Sequence, residues 1–197
     1  MPDACLLAVP ADLLALQVHP VAPGPVGLSV RAGVQAVDDV TGPGWWLHYV
    51  VKGPIGTLAI PVPKTPGPAD GLWRHTCFEA FVEDGDGGDG GDGPGYREFN
   101  FSPSGQWAVY RFAAERERCA NDKPPATGPS IEIQATAEVL LLRAWIPRAL
   151  LPAAPGRVGL TAVLETGNGP LSYWALRHPH ADRPDFHHPA GRTLAPA

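Results

Sequence analysis

Proline and glycine break this chain so often that long helices have little room to form. The sequence holds 24 prolines and 23 glycines in 197 residues. Proline removes a helical hydrogen bond and clashes with the preceding turn, and glycine carries an entropic cost inside any regular element. Between the breaks lie short apolar runs in which buried and polar residues alternate. A period of two is the mark of a half-buried strand. The pattern predicts an all-β chain of about ten short strands, at the spacing typical of sandwiches, with minor helix.

The runs come in order. Residues 12–19 and 26–37 are apolar-rich and separated by VAPGPVG. TGPG (41–44) reads as a turn, and WWLHYVVK (45–52) as a strand rich in aromatic and β-branched residues. TLAIPV (57–62) reads as a short edge strand, its prolines excluding a central place. LWRHTCFEAFVE (72–83), YREFNFS (96–102) and WAVYRFA (107–113) alternate clearly. Residues 114–130 read as a polar loop with at most one helical turn. Two further strands occupy 130–146, a single helical turn falls near Arg148 to Leu151, and 157–165 and 171–176 flank the TGNG turn.

Whole-chain properties narrow the class. A composition 44% hydrophobic and 18% charged suits a globular domain, and the length predicts one domain over residues 1–197. The formal net charge is −5, and no basic tail or arginine-rich helix offsets it, which argues against nucleic acid as a partner. No run of 18 apolar residues exists, which argues against a membrane-spanning helix. Asp3 stands where a signal peptide needs Lys or Arg, so the reading is a cytoplasmic protein without a leader. Cys5, Cys77 and Cys119 are odd in number and widely spaced, which predicts reduced thiols.

Residues 71–113 carry most of the chemistry. In 72–83, His75, Cys77, Glu79 and Phe81 face one way, and Thr76, Phe78, Ala80 and Val82 the other. In 96–102, Phe99 and Phe101 share a face opposite Glu98, Asn100 and Ser102. Next comes Tyr110 with Phe112, opposite Trp107 with Arg111. Pairing of the first two strands would set Glu79 beside Glu98 and Asn100. Two carboxyls and an amide flanked by Trp73, Trp107, Tyr110 or Trp174 suit a sugar, which presents dense hydroxyls and an apolar ring face. A solvated outer sheet face would read the same way. Glu79 with Glu98 or Glu165 would also serve as an acid pair in a sugar-active enzyme.

Two other features invite metals. The segment HPHADRPDFHH offers His178, His180, Asp185, His187 and His188, yet its spacing fits no helical ligand pair, and hydrogen bonding or packing over the sheet is the preferred reading. The DGDGGDGGDG run matches neither an EF-hand loop nor a calcium-binding nonapeptide repeat; residues 84–95 read as a flexible acidic loop. No cofactor is expected from either.

At LWRHTCFEAFVE, YREFNFSPSGQWAVYRF, VLETGNGPLSYWALRHP and RPDFHH the sequence resembles the DOMON-like proteins related to family-nine carbohydrate-binding modules. The resemblance implies an immunoglobulin-like antiparallel β-sandwich that binds a saccharide or sugar-like small molecule and has no catalytic residue. In the wider superfamily it implies a haem or redox carrier, with His178 or His187 as axial ligand. The positions that match its motifs, and so are implied as ligand-binding, are Trp73, Glu79, Glu98, Asn100, Trp107, Trp174, His178, Asp185 and His187. The resemblance specifies neither the ligand nor the oligomeric state.

Overall fold

The computed structural model describes residues 7, 9–39, 42–85, 95–167 and 169–195. Residues 86–94, most of the acidic glycine-rich loop, and Cys5 lie outside these. Among the described residues, the strands are β1 (Leu14–Val18), β2 (Ser29–Asp39), β3 (Gly42–Lys52), β4 (Gly67–Pro68), β5 (Cys77–Asp84) and β6 (Tyr96–Phe101). They continue as β7 (Gln106–Ala114), β8 (Glu117–Arg118), β9 (Ser130–Ala135), β10 (Val139–Pro147), β11 (Pro155–Glu165) and β12 (Leu171–Ala175). Among the described residues the helical content is short 3₁₀ turns, and no helix is long and apolar enough to cross a membrane.

The strands hydrogen-bond in the order β4-β7-β6-β5-β11-β12-β1-β2-β3-β10-β9. Every contact is antiparallel except β4 with β7. Strand β1 belongs to both halves: Leu14 to Leu16 pair with β2, and Gln17 and Val18 pair with β12. That switch lets one continuous ladder fold over on itself as two layers, the usual solution for a sheet with one apolar face.

The core lies between the layers. Phe78, Ala80, Val82, Phe99, Phe101 and Leu160 from one side meet Leu47, Val51, Leu140, Leu142 and Ile146 from the other in one cluster. Each buried phenylalanine contributes roughly 1.5–3 kcal/mol relative to exposure. Tyr49 spans the layers: its ring packs on Phe78, and its hydroxyl donates to the Glu79 carbonyl at 2.7 Å.

Alternation places the strands well, with local exceptions. The β2–β3 ladder extends to Asp39 opposite Gly42, so β3 starts inside the expected TGPG turn. Residues 57–62 form no strand; Leu58 makes one isolated bridge to Thr166. Pro61 and Pro63 have no N–H to extend that pairing. Strand β5 begins only at Cys77, because Leu72–Arg74 is a 3₁₀ turn entered through Gly71 at φ 72°, a left-handed conformation glycine adopts readily. In the expected polar loop, Glu117 and Arg118 pair back on β7 instead of starting a helix. The expected turn at Arg148 is present as Arg148–Leu150.

Candidate functional site

Strand β5 is the first sign of a site. Its residues from Cys77 to Val82 are all buried, on both faces. A sheet with one face in water would show alternation in burial. Phe78, Ala80 and Val82 face the core; Cys77, Glu79 and Phe81 face outward but are covered. The cover comes from the C-terminal segment, whose Phe186 and His187 rings pack on Phe81 at 6.4 and 5.3 Å.

Register sets the polar groups in rows across this covered face. Glu79 lies opposite Asn100 on β6 and Thr161 on β11. Glu98 lies opposite Phe81 on β5 and Tyr110 on β7. The two carboxyl groups are therefore diagonal neighbours on adjacent strands, a pair within reach of long side chains. Glu79 accepts from the Thr161 hydroxyl at 3.1 Å, and Glu98 accepts from the Asn100 amide at 2.7 Å. The Cys77 thiol points at the Asn100 side-chain oxygen, Oδ1, at 3.6 Å.

Above these acids opens a cleft of about 710 Å³. Trp73, Phe81, Tyr110, Phe112, Tyr173 and Phe186 supply its aromatic walls. Trp73, 39% exposed, meets Tyr110 edge-on with ring centres 5.9 Å apart. Arg74, Arg116 and Arg118 complete the lining, with Arg118 lying over the Tyr110 ring. Tyr110 donates to Asp70, which fixes the phenol at the rim.

Burial dominates the electrostatics. It raises the Glu79 carboxyl to about 8, with repulsion from Glu98 adding to the effect. It also raises Glu98, to about 7, against the pull of the Asn100 hydrogen bond. Near neutral pH the pair holds protons that exposed carboxyls would release. His187 is pushed the other way, to about 4, first by burial and then by the Arg116 charge. Its ring is neutral, and its tautomer follows from its neighbours. Tyr96 Oη accepts from the Arg116 backbone N–H at 3.2 Å and donates to His187 Nδ1 at 2.7 Å. His187 Nδ1 is the one acceptor for the Tyr96 O–H among the described residues, which assigns the ring proton to Nε2, facing Glu98 at 3.8 Å.

Of the nine residues singled out from the sequence, Trp73, Glu79, Glu98 and His187 line the cleft. Asn100 and Asp185 stand one layer behind: Asn100 holds Glu98, while Asp185 accepts from Arg116 at 2.8 Å and from the His187 backbone N–H at 3.2 Å. Trp107 and Trp174 lie in the core between the layers. Trp174 donates to Ser172 Oγ, and Trp107 leaves no room for a side chain at Gly128, where a Cβ would come within 1.9 Å of its ring. His178 donates to the Gln17 carbonyl at 2.8 Å and packs on His19. Glu165, considered as an acid partner, is bound to His75 at 2.8 Å and does not line the cleft.

Tyr173, Phe186 and the three arginines were not foreseen from the sequence. Tyr110 shares the Glu98 face by alternation, which was a usable signal; Arg74 ends a 3₁₀ turn and Arg116 and Arg118 sit on an irregular hairpin, and these left none. Among the described residues, no group of three His, Cys, Asp or Glu side chains is placed to hold a metal ion. His180 and His188 pack within their own segment: His188 Nδ1 accepts from the Ala190 backbone N–H, and the His180 ring meets His188 edge-on.

No protein-family model matches the chain. No curated protein matches it either. Among solved structures it is similar to a family 9 carbohydrate-binding module from Caldicellulosiruptor kristjanssonii in complex with glucose, at 7% identity and a TM-score of 0.48, covering 85% of this chain and 76% of that one. The same description, in complex with cellotriose, is matched at 7% identity and a TM-score of 0.46, covering 85% and 74%. Likeness of this degree assigns no ligand to the present chain.

Proposed function

We propose that the cleft over β5 and β6 binds a saccharide or sugar-like small molecule and performs no chemistry on it. One observation carries the reading. Two hydrogen-bonded carboxyl groups, Glu79 and Glu98, form the floor of a cleft walled by aromatic rings. Hydroxyl groups of a sugar both donate and accept, so they match carboxyls that hold or release a proton near neutral pH. The apolar face of a pyranose packs on rings such as Trp73 and Tyr110. The cleft volume falls within the range of small-molecule sites, roughly 300–1,000 Å³.

Isothermal titration calorimetry with a panel of mono- and disaccharides, beside Trp73→Ala and Glu98→Gln variants, tests the reading. Saturable binding by the native protein, weakened about tenfold or more in both variants, supports it. Absence of binding by every saccharide and saccharide derivative rejects it.

A second reading rests on the same acids. Glycoside hydrolysis uses one protonated carboxyl as acid and one ionised carboxylate as base or nucleophile, and burial holds Glu79 as the more tightly protonated member of this pair. Release of sugar by the native protein, abolished in Glu79→Gln with ligand binding retained, would favour it over simple binding.

A further inference from the structure

We infer that the molecule taken by this cleft carries an anionic group, a phosphate or carboxylate on its sugar-like frame, docked on the guanidinium groups of Arg74, Arg116 and Arg118. The inference rests on the saccharide reading above and narrows its ligand class.

The charges are arranged in layers. Among the described residues, Glu79 and Glu98 are the only acids that line the cleft, and they lie buried at its floor. The three arginines line it too, and all are exposed at its mouth. The acids that pair with two of them stand behind. Arg116 bonds Asp185 through one terminal nitrogen, and Arg118 bonds Asp122 through Nε. The side chains of Asp185 and Asp122 are each only 4% exposed, against 57% and 44% for their arginines. An incoming molecule therefore meets guanidinium edges before carboxylates. A guanidinium carries five N–H donors, and each of these pairs uses one.

Preorganisation supports the same conclusion. Arg118 is held at one end by Asp122 and along its plane by the Tyr110 ring. Arg116 occupies a left-handed backbone conformation, φ 60°, at the turn between β7 and β8. That position would suit glycine or asparagine better. Its backbone N–H bonded to Tyr96 and its side chain bonded to Asp185 keep it there. The Arg74 guanidinium makes no hydrogen bond or ion pair among the described residues and sits 5.9 Å from the Trp73 ring. Asp70 lies nearby and carries charge of the opposite sign, but it is engaged by Tyr110 and does not line the cleft. A fixed fork of donors over an aromatic wall is suited to planar carboxylates and to phosphates.

Matched ligands test this. Glucose, galactose, their uronic acids and their 6-phosphates are titrated by calorimetry at about 50 and 300 mM NaCl, conditions that differ in Debye length. The expected result is at least tenfold tighter binding of one acidic class over its neutral parent, an advantage that shrinks several-fold at high salt. Arg74→Gln and Arg118→Gln should each weaken binding of the acidic ligand several-fold more than binding of its neutral parent. Preference for the uronic acid identifies a carboxylate, and preference for the 6-phosphate a phosphate. Neutral sugars binding as tightly as the acidic ones would overturn the inference and leave the saccharide reading intact. No binding by any of the six overturns both.

Discussion

Tyr96 and His187 lie 91 residues apart in the chain, and the Tyr96 hydroxyl donates to His187 Nδ1 at 2.7 Å. The contact ties the β6 strand to the C-terminal cover and decides which imidazole nitrogen faces Glu98. Tyr96 stacks face-to-face on Phe112 at 4.7 Å, so the phenol is aimed by packing before it bonds. Burial raises the phenol to about 12, which keeps it protonated as a donor at all ordinary pH.

Tyr96→Phe should therefore loosen the cover. The substitution keeps the ring and removes the partner of both the Arg116 backbone N–H and His187 Nδ1. Leaving such groups unsatisfied costs about 1–3 kcal/mol. Urea denaturation should show a loss in that range, and nitrogen-15 shifts of His187 should move from one dominant tautomer to a mixture. A tautomer unchanged by the substitution would refute the role given to Tyr96.

Stability should fall as pH rises from about 6.5 to 8. Glu79 and Glu98 have folded-state values near 8 and 7, above the ordinary value of 4.5. The folded state binds more protons than the unfolded chain between these limits, so stability declines with pH there. His187, lowered to about 4, acts with the opposite sign between 4 and 6.5, where the unfolded chain takes up the proton. The two effects oppose each other below 6.5 and the carboxyls act alone above it. Chemical denaturation across pH should show the decline, and Glu98→Gln should flatten it. A slope unaltered in that variant would place its origin elsewhere.

The tryptophans should separate by layer. Trp73→Ala should reduce ligand affinity and change stability by under about 1 kcal/mol, because the side chain is partly exposed. Trp107→Ala should cost about 3–5 kcal/mol, since it empties a core position. Trp107→Phe, a milder change, should leave affinity within about twofold. Calorimetric titration beside thermal unfolding checks all three, and a large affinity loss in Trp107→Phe would contradict the assignment.

Gly128→Ala should destabilise the fold by about 1–3 kcal/mol. The added methyl would meet Trp107 at 1.9 Å, far inside contact distance, so ring or loop must move. A shift in the tryptophan emission maximum should accompany the loss.

The division into core face and polar row was legible in the sequence. Phe78, Phe99 and Phe101 face the core, and Glu79, Glu98 and Asn100 share the opposite face, as period-two alternation requires. That period belongs to the backbone and needs no knowledge of distant contacts. The strand pairing around 96–113 and the hairpin at TGNG follow from the same local rules. Local rules failed where a residue's face depended on what covered it. Trp107 and Trp73 are equally aromatic, and only the layer packed against each makes one core and the other cleft wall.

The sequence by itself determined most of the strands, their alternation and the identity of the paired acids. Tertiary structure alone decided that the outer face is a covered cleft and not a wet surface. The cover is Pro184, Phe186 and His187, brought across from the C-terminal end, and Arg116 and Arg118, brought in by a two-residue turn back onto β7. Burial by such distant segments is what holds protons on Glu79 and Glu98, and a carboxyl's letter in the sequence carries no record of whether water reaches it.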